Sequence, residues 1–459
     1  MVIIAPLLYA IVAVVAAFYL YLTFRVDLQM MQQNSYRNNR YFRWWKMDSD
    51  YCKVDRIICL CVVLLLLSTF PVVLVAPLSA VVLLVASVRL LKRKYKKPLV
   101  FTKRVWRLFI AMSALSIVIV LAAASVWQLK GVAVALPAIA VISWMIAAVA
   151  NWLLKPVEAS INQSYYNDAK RRLAQMPDMK IIGITGSYGK TSTKHYLNRI
   201  LSEQFDVLMT PGSFNTPMGV IRTVRELMKP YNEVFIVEMG AKQIGDIKEI
   251  CDLVHPEIGI LTAVGEQHLE SFKTIENVQR TKFELVDALP KTGFAVLNND
   301  FEYVANRPVK NVKSYRYAVK NTAGAAYVAK NIEYTADGTK FVISGEGKEL
   351  ALETKLVGEC NISNLMGAVI VAIKLGMTDE KIRFAVSKIE QVEHRLNMKR
   401  TAGGVTIIDD AFNSNPDGSR MALDVLARMK GGKRIVVTPG MIELGEKQAL
   451  LNSRFGEHI

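Results

Sequence analysis

GITGSYGKTST, residues 183–193, lies between an apolar run at 180–185 and a helical pattern that begins at Lys190. A Gly-rich turn that leaves a buried strand and enters a helix is suited to hold an anion. Its backbone N–H groups and the helix N-terminus favour phosphate, Lys190 adds a cation, and Thr191 offers a hydroxyl to Mg2+. The strict G-x-x-x-x-G-K-[ST] spacing is not met, because Ile184 stands five positions before Gly189 and Gly183 lies one residue further back. The strand before and the helix after carry the reading of a nucleotide loop over that of a structural glycine turn.

Outward from this loop the chain alternates. Strand-like runs recur at 206–210, 234–238, 258–262 and 294–298, with helical patterns at 218–227, 244–253 and 275–289 between them. That rhythm predicts an α/β fold with a mostly parallel sheet. Residues 313–357, with turn signals at Asp337-Gly338 and Gly345-Glu346-Gly347, predict a small antiparallel excursion. Helices are expected at 362–375 and 380–389. A second α/β unit is expected to open with a strand at 405–409, followed by a helix at 419–429, a strand at 434–437 and a helix near 446–454.

The chain has 459 residues, 52% of them hydrophobic and 21% charged, with a mean hydropathy of +0.24. These values exclude a disordered chain, a collagen-like fibre and a small disulfide scaffold. The net charge of +17 is unevenly placed. Residues 1–172 carry 21 Lys/Arg against 6 Asp/Glu, a net +15, whereas residues 173–459 carry 36 against 34, a net +2. A nucleic-acid partner would need the basic excess on the α/β part, so nucleic acid is excluded as a partner class. The five cysteines (52, 59, 61, 251 and 360) show no C-x-x-C spacing, which points to reduced thiols.

The basic N-terminal region is organised by uncharged runs. Residues 1–24 precede the first charge at Arg25. Further runs cover 57–88, 108–129 and 131–154. Each meets or exceeds the roughly 20 apolar residues needed to cross a bilayer. The first run is long and lacks a small-residue cleavage site, so an anchor is expected rather than a removed signal peptide. The 32-residue run at 57–88 is too long for one upright helix and holds Pro71 and Pro77 near its middle, where a re-entering hairpin would place them. Residues 25–56 carry seven Lys/Arg and residues 89–107 carry nine without an acid, so both loops are expected in the cytoplasm. The expectation is a transmembrane region at 1–156 with five helices (2–24, 57–72, 74–91, 106–127 and 131–154), four being the rival count. A linker at 157–179, an ATP-binding domain at 180–392 and a C-terminal domain at 393–459 follow. The runs themselves hold almost no ionisable residues, which favours a plain anchor over a transporter.

Several residues outside the loop are candidates for chemistry. Glu238 ends the run 234–238, and a carboxylate at the C-terminal end of a parallel strand beside a phosphate loop is placed for a metal. The alternative is a solvated strand end. His268, in GEQHLESF, follows the run 258–262 and suits a second metal or a phosphate, or else is merely structural. Lys282, in RTKFELVDALP, reads on its own as a helix-surface charge. IIDDAFNSNPDGSRMAL, residues 407–423, reads as Asx turns and caps, or as a loop closing over a nucleotide.

In order along the chain, GITGSYGKTS, PGSFNTPMGV, EMGAKQIGDI, GEQHLESF, RTKFELV, AVLNND, LVGECNISNL with EHRLN, and DDAFNSNP with GMIELGE together resemble the Mur ligase family of ATP-dependent amide-forming enzymes. The nearest branch joins D-alanyl-D-alanine to a muramyl tripeptide. The resemblance runs from about residue 180 to 446. It implies ATP and Mg2+ as cofactors, with Gly186, Ser187, Gly189, Lys190, Thr191 and Ser192 in the nucleotide loop. Lys190 would hold the β/γ-phosphates, Thr191 and Glu238 the first Mg2+, and His268 the second. Lys282 matches a lysine that many members carbamylate. Asn298 would meet the adenine, Arg395 the phosphates and Asp410 the ribose, while Asn215 and Thr216 would face the muramyl-peptide acceptor. Lys190, His268 and Lys282 form the implied catalytic set. The family's chemistry primes a carboxylate as an acyl phosphate and needs no protein nucleophile, and no credible Ser-His-Asp or Cys-His set is found here.

Four departures stand out. Spans and basic loops take the place of the small domain that grips the UDP end of the acceptor. Phe412 stands where the branch has Tyr, and Cys360 where a His is common. Two strands between 405 and 459 imply a Rossmann-like C-terminal domain that is incomplete, through truncation or completion by another chain. The expected partners are therefore a muramyl-peptide or related carboxylate, an amine such as D-alanyl-D-alanine, and a lipid bilayer, with the catalytic domain cytoplasmic on a multi-pass membrane protein. The alternatives are a lipid-linked or polyglutamate-type acceptor, or a non-catalytic ATP-binding membrane protein.

Overall fold

The structure is a computed structural model that describes residues 4–459 apart from 48, 96, 336–337, 412–414 and 430–431. It divides into two compact units, residues 1–164 and 165–459.

The first unit is helical: α1 (Ile4–Gln33), α2 (Asn38–Met47), α3 (Asp50–Leu67), α4 (Val72–Lys92), α5 (Lys103–Leu153) and the start of α6 (Lys155–Ala174). Helices α1, α4 and α5 are long and apolar enough to cross a membrane. The 57–88 run is shared between α3 and α4, which part at Ser68–Pro71; Pro71 caps α4, and Pro77 lies inside it. The first two turns of α3 carry Asp50, Lys53, Asp55 and Arg56, which leaves a short apolar remainder. Helix α5 is broken at Trp127 and Gln128, the latter at φ 48°, ψ −134°. A Cβ on Gly131 would stand 2.1 Å from the carbonyl of Ala123, so the two arms of α5 fold back against each other at that glycine.

Helix α1 runs past Arg25 and carries Asp27 into the bundle. The fully buried Asp27 carboxylate accepts from Arg56 on α3 (3.0 and 3.1 Å), from the Tyr41 hydroxyl on α2 (3.1 Å) and from the Ser143 hydroxyl on α5. One charge thus registers four helices, a pairing whose loss is costly because it strands a buried ion. Outward-facing positions are apolar, among them Val14, Val85, Val118, Val126 and Trp152. The expected linker at 157–179 is mostly α6. Glu158 in its first turn and Arg171 and Arg172 in its last suit the helix dipole, and the segment holds no glycine before its end.

The second unit is mixed α/β. In chain order it comprises β1 (Lys180–Thr185), α7 (Lys190–Leu201), β2 (Val207–Met209), α8 (Pro217–Glu226), β3 (Val234–Glu238), α9 (Asp246–Val254), β4 (Ile258–Leu261), α10 (Leu269–Phe272), α11 (Ile275–Asp287), β5 (Phe294–Asn298), α12 (Glu302–Ala305), β6 (Lys313–Ala318), β7 (Tyr327–Thr335), β8 (Gly338–Gly345), β9 (Lys348–Thr354), α13 (Glu359–Lys374), α14 (Asp379–Ser387), β10 (Asn397–Arg400), β11 (Thr406–Asp409), α15 (Pro416–Arg428) and α16 (Gln448–His458). Nine strands form one sheet in the order β2-β3-β1-β4-β5-β6-β7-β8-β9. Pairing is parallel from β2 through β7 and antiparallel from β7 to β9. The 313–357 segment is therefore a continuation of the main sheet, and its first strand is parallel.

Each central strand is buried on both faces, as a parallel sheet covered by helices requires. On β3, Val234 and Ile236 face one core with α7 and α13, while Phe235 and Val237 face a second with α8, α9 and α11. Under α11 the sheet is shaved. Gly183 and Gly259 are register partners, Ala295 follows Gly259, and a Cβ on Gly183 would stand 2.6 Å from Leu285. This lets α11 settle close to the strands and fixes the depth of Lys282, one turn before Leu285.

Two expectations fail in the C-terminal part. Strand β11 pairs antiparallel with β10, and no parallel Rossmann-like pair forms among the described residues. Residues 434–437 are not a strand; Ile435 and Val437 are 74% and 93% exposed, and among the described residues no strand pairs with them. The Asp337 turn position, Phe412 and Asn413 lie outside the described residues.

Gly183→Val tests the shaved row. Overpacking beneath Leu285 is expected to cost about 1–3 kcal/mol, read by denaturant unfolding of the full chain in detergent.

Candidate functional site

Strand β1 ends at Thr185, and the chain turns through two glycines in the left-handed region, Gly186 at φ 151° and Gly189 at φ 78°. Side chains are excluded there twice over, since a Cβ would meet Thr262 Oγ1 at 2.1 Å from Gly186 and Asn364 Oδ1 at 2.1 Å from Gly189. The loop is tied to the crest of β4. The Ser187 N–H donates to the Ala263 carbonyl (2.8 Å), the Ser187 hydroxyl to the Gly265 carbonyl (3.1 Å), and the Thr262 hydroxyl to the Tyr188 carbonyl. This crest lies where β1 has β3 on one side and β4 on the other, outside the carboxyl ends of the strands. The Lys190 ammonium curls back to donate to the carbonyls of Gly186 (2.6 Å) and Ser187 (3.2 Å). Burial pushes its amine down to about 8, with Glu238 opposing and Arg395 adding to the fall. Ser192 is buried on the first turn of α7.

Glu238 is the last residue of β3, level with Ile184, and is 1% exposed. Its Oε1 accepts from the Thr191 hydroxyl (3.2 Å) and from the Asn215 amide (3.1 Å). Its Oε2 is buried without a well-directed hydrogen bond and stands 3.0 Å from the equally buried ammonium of Lys194. Burial pushes this carboxyl up, but Lys194 and Lys190 outweigh it and hold the group below the ordinary glutamate range. The Lys194 ammonium also donates to the Gly212 carbonyl (2.6 Å). Gly240 lets Asn215 approach, because a Cβ there would lie 2.7 Å from the amide carbon.

His268 has φ 53° and precedes α10, with Nδ1 2.5 Å from Glu443 Oε2. Burial pushes the imidazole down; Glu443 opposes, while Lys282 and Lys190 add to the fall. Lys282 is 2% exposed on α11. Burial, then Lys190, hold its amine well below the usual lysine range, against the pull of Asp246 and Glu284. Those two acids brace the loop after Glu238: Glu284 accepts from the Gly245 N–H (2.7 Å), and Asp246 from the Lys242 N–H (2.8 Å).

Arg395 feels both Glu238 and Asp410 electrostatically, and burial lowers its affinity for its proton. Asp410 accepts from the Leu396 N–H (3.1 Å) and is pushed up to about 6, chiefly by burial. Its neighbour Asp409 instead pairs with His394 (2.8 Å) and Lys399 (3.3 Å). Asn298 is 1% exposed, and its amide is engaged by the protein, donating to the Thr262 carbonyl and the Ser363 hydroxyl (both 2.9 Å) and accepting from the Asp300 N–H (3.1 Å). Thr216 caps α8 by accepting from the Gly219 N–H (3.3 Å). A cavity of about 500 Å³ lies beside Cys360, between the start of α13 and α15, and is bordered by Lys320, Tyr334, Met421 and Arg428. It is not lined by Lys190, Glu238 or His268.

Direct contacts thus join Thr191, Asn215 and Glu238. Lys190 and Arg395 lie within electrostatic reach of Glu238, and His268 and Lys282 within reach of Lys190. Three participants escaped the sequence reading. Lys194 lies one turn after Lys190 on α7. Asn364 backs Gly189, and Glu443 reaches His268 from the GMIELGE segment. The periodicity of α7 placed Lys194 no differently from any other lysine.

The residues fit Mg2+. Thr191 and Glu238 present hard oxygens, and Glu238 Oε2, held by the Lys194 ammonium at 3.0 Å, accepts no well-directed hydrogen bond. No group of three or more His, Cys, Asp or Glu side chains that could cage a metal occurs among the described residues. That pattern suits an ion that keeps waters and phosphate oxygens as ligands rather than one enclosed by protein.

Comparison with known proteins bears on the domains. Residues 184–372 match the Mur ligase middle domain, and residues 394–459 match the Mur ligase, glutamate ligase domain. The chain is 29% identical over 282 residues to the UDP-N-acetylmuramoyl-tripeptide–D-alanyl-D-alanine ligase of Bacillus subtilis, covering 61% of this chain and 60% of that protein. It is 30% identical over 285 residues to the Escherichia coli enzyme of the same name, covering 62% of each. The chain therefore spans about 60% of the length of these relatives. Among solved structures, MurF from Acinetobacter baumannii superimposes with a TM-score of 0.60 at 26% identity, covering 64% of each chain. MurF from Thermotoga maritima, solved with ADP, gives 0.60 at 26% identity over 64% of this chain and 67% of that one. From residue 184 onward, this chain carries the middle and C-terminal domains of the Mur ligases.

Proposed function

We propose that this chain is a membrane-anchored, ATP-dependent ligase of cell-wall precursors, joining the carboxylate of a muramyl tripeptide to the amine of D-alanyl-D-alanine. The observation that carries the reading is the buried Glu238 carboxylate beside Thr191, Lys190 and the glycine turn, on a domain like that of the MurF relatives. The acceptor carboxylate attacks the γ-phosphorus, the bond to the bridging oxygen breaks, and ADP departs, leaving an acyl phosphate. The amine then attacks the acyl carbon, loses a proton and expels inorganic phosphate, leaving an amide. When bound, Mg2+ screens the anionic oxygens that meet in the first step.

The chain's own residues supply the rest. The Gly186–Gly189 turn and the start of α7 cradle phosphate, and Lys190 moves from its two loop carbonyls to the β/γ-phosphates. Lys194 neutralises Glu238 until a metal does so, which keeps the buried carboxylate ionised. Arg395 reaches the phosphates and Asp410 the ribose from the C-terminal domain. Asn298 shapes the adenine end, and Asn215 with Thr216 lies on the acceptor side. Burial lowers the proton affinity of Lys282 and so favours its free amine: the nitrogen attacks the carbon of carbon dioxide and releases a proton, and the resulting carbamate would place negative charge near His268 for a second metal.

The helical unit supports a membrane-anchored reading, with the ligase domain on the cytoplasmic side. It also favours a second acceptor, a lipid-linked muramyl peptide, because three helices of membrane-spanning length precede the ligase domains.

Three outcomes are expected. Purified full-length chain releases ADP and phosphate when both a muramyl-tripeptide acceptor and D-alanyl-D-alanine are present, and Lys190→Ala lowers that rate by at least about 100-fold. ATP turnover indifferent to both substrates would sink the ligase reading, while faster turnover with a lipid-linked acceptor than with a UDP-linked one would favour the second acceptor. Nucleotide affinity depends on pH in a defined direction. The empty site's Lys190 titrates at about 8 and a bound triphosphate raises that value, so binding above pH 8 takes up a proton. Affinity should fall by up to about tenfold per unit as pH rises from 8 toward 10, read by titration calorimetry in two buffers, and Lys190→Arg should remove the dependence. For the third, carbon-13 bicarbonate should give a carbamate resonance that Lys282→Met abolishes; an unchanged spectrum would remove carbamylation from the account.

A further inference from the structure

Glu443 touches the site from a segment that none of the assigned roles uses. It lies in GMIELGE, before the short 3-10 turn Gly445–Lys447, and its side chain ends 2.5 Å from Nδ1 of His268. The contact is held from several directions. The Glu443 carbonyl accepts from the Glu270 N–H (3.3 Å), Lys447 pairs with Glu266 (2.5 Å), and Gly445 packs against the Glu270 backbone. Met441 and Leu444 are each 2% exposed and form a small core with Leu451 and Phe455, so the segment is anchored behind Glu443 as well.

Both members of the pair also adopt a backbone conformation that side chains disfavour, His268 at φ 53° and Glu443 at φ 62°. Such conformations cost free energy and persist where surrounding contacts over-determine them. Here two residues brought together from distant parts of the chain share that cost at one contact.

The chemistry of imidazole gives the contact a consequence. A carboxylate at Nδ1 requires that nitrogen to carry the proton, which leaves Nε2 as a lone-pair donor. Histidines that bind metals are commonly oriented in this way by a carboxylate on the other ring nitrogen. We infer that Glu443 is a positioning residue: it fixes the Nδ1–H tautomer and ring orientation of His268, which leaves Nε2 with its lone pair for a second metal. This rests on the proposed function for the metal's identity, but not for the contact itself.

The test uses full-length chain labelled with nitrogen-15 histidine. The protein has five histidines, so His268→Asn assigns the resonance. Without nucleotide or metal, the wild type should show a protonated Nδ1 and a bare Nε2 at His268. Glu443→Ala should shift that signature toward the other tautomer, and Glu443→Gln, whose amide oxygen still accepts, should restore it. With a non-hydrolysable ATP analogue, Mn2+ affinity read by electron paramagnetic resonance should fall about 10- to 100-fold in Glu443→Ala and recover in Glu443→Gln. An unchanged tautomer, or unchanged Mn2+ affinity in Glu443→Ala, would overturn the inference. Failure of the wild type to bind the analogue would instead sink the nucleotide reading, while the tautomer measurement still decides the Glu443 contact.

Discussion

A carboxylate buried at the crest of a parallel sheet is the constraint around which this ligase domain is arranged. Glu238 cannot remain ionised there without compensation, since stranding such a charge costs several kcal/mol. Its compensation comes from three groups on two elements: Lys194 and Thr191 on α7, and Asn215 on the loop before α8. Each of those positions is set by something else. Helix α7 enters at Gly189 because no side chain fits against Asn364. The Asn215 loop closes on Gly240 because no side chain fits there either. The glycines therefore matter as openings through which polar groups reach one carboxylate.

The same logic of close approach sets the second half of the site. Gly183, Gly259 and Ala295 lower the floor beneath α11, and Lys282 is carried inward with it until its amine loses affinity for a proton. A lysine in the middle of a helix becomes chemically distinctive only through the residues it does not touch. Burial lowers Lys190 as well, with Glu238 opposing the fall, and its ammonium donates to two loop carbonyls. Two amines within electrostatic reach of each other are thus both held below the usual lysine range by burial.

What could be read from the chain follows from how locally each element is determined. The strands at 180–185, 234–238 and 294–298 end where the apolar runs end, because these strands are covered on both faces and need little context. Residues 313–318 read as part of an antiparallel excursion, but they pair in parallel with β5; direction is set by the strand beside them, which no local pattern encodes. The 434–437 run has strand composition without a strand to join. The segment at 157–179 looked like a linker because it is polar, although its residues favour a helix with well-placed end charges. The loop, Glu238 and His268 were legible from position, whereas Lys194 and Glu443 were not, since their meaning lies in a partner distant in space or sequence.

Charge placement links the two units in one physical picture. In the helical unit, Asp27 and Arg56 sit inside a bundle whose core is otherwise apolar, while further apolar side chains such as Val14 and Trp152 face outward. An apolar surrounding would favour those outward residues, because they then need no water, and the buried pair organises the helices from within. In the second unit, the buried ion pair Lys194–Glu238 leaves one carboxylate oxygen without a directed hydrogen bond. Asp27, by contrast, has partners on three helices besides its own. A saturated buried charge holds a structure in one state; an undersaturated one leaves a coordination position for something else. On that criterion the bundle is the scaffold and the sheet crest is where chemistry belongs.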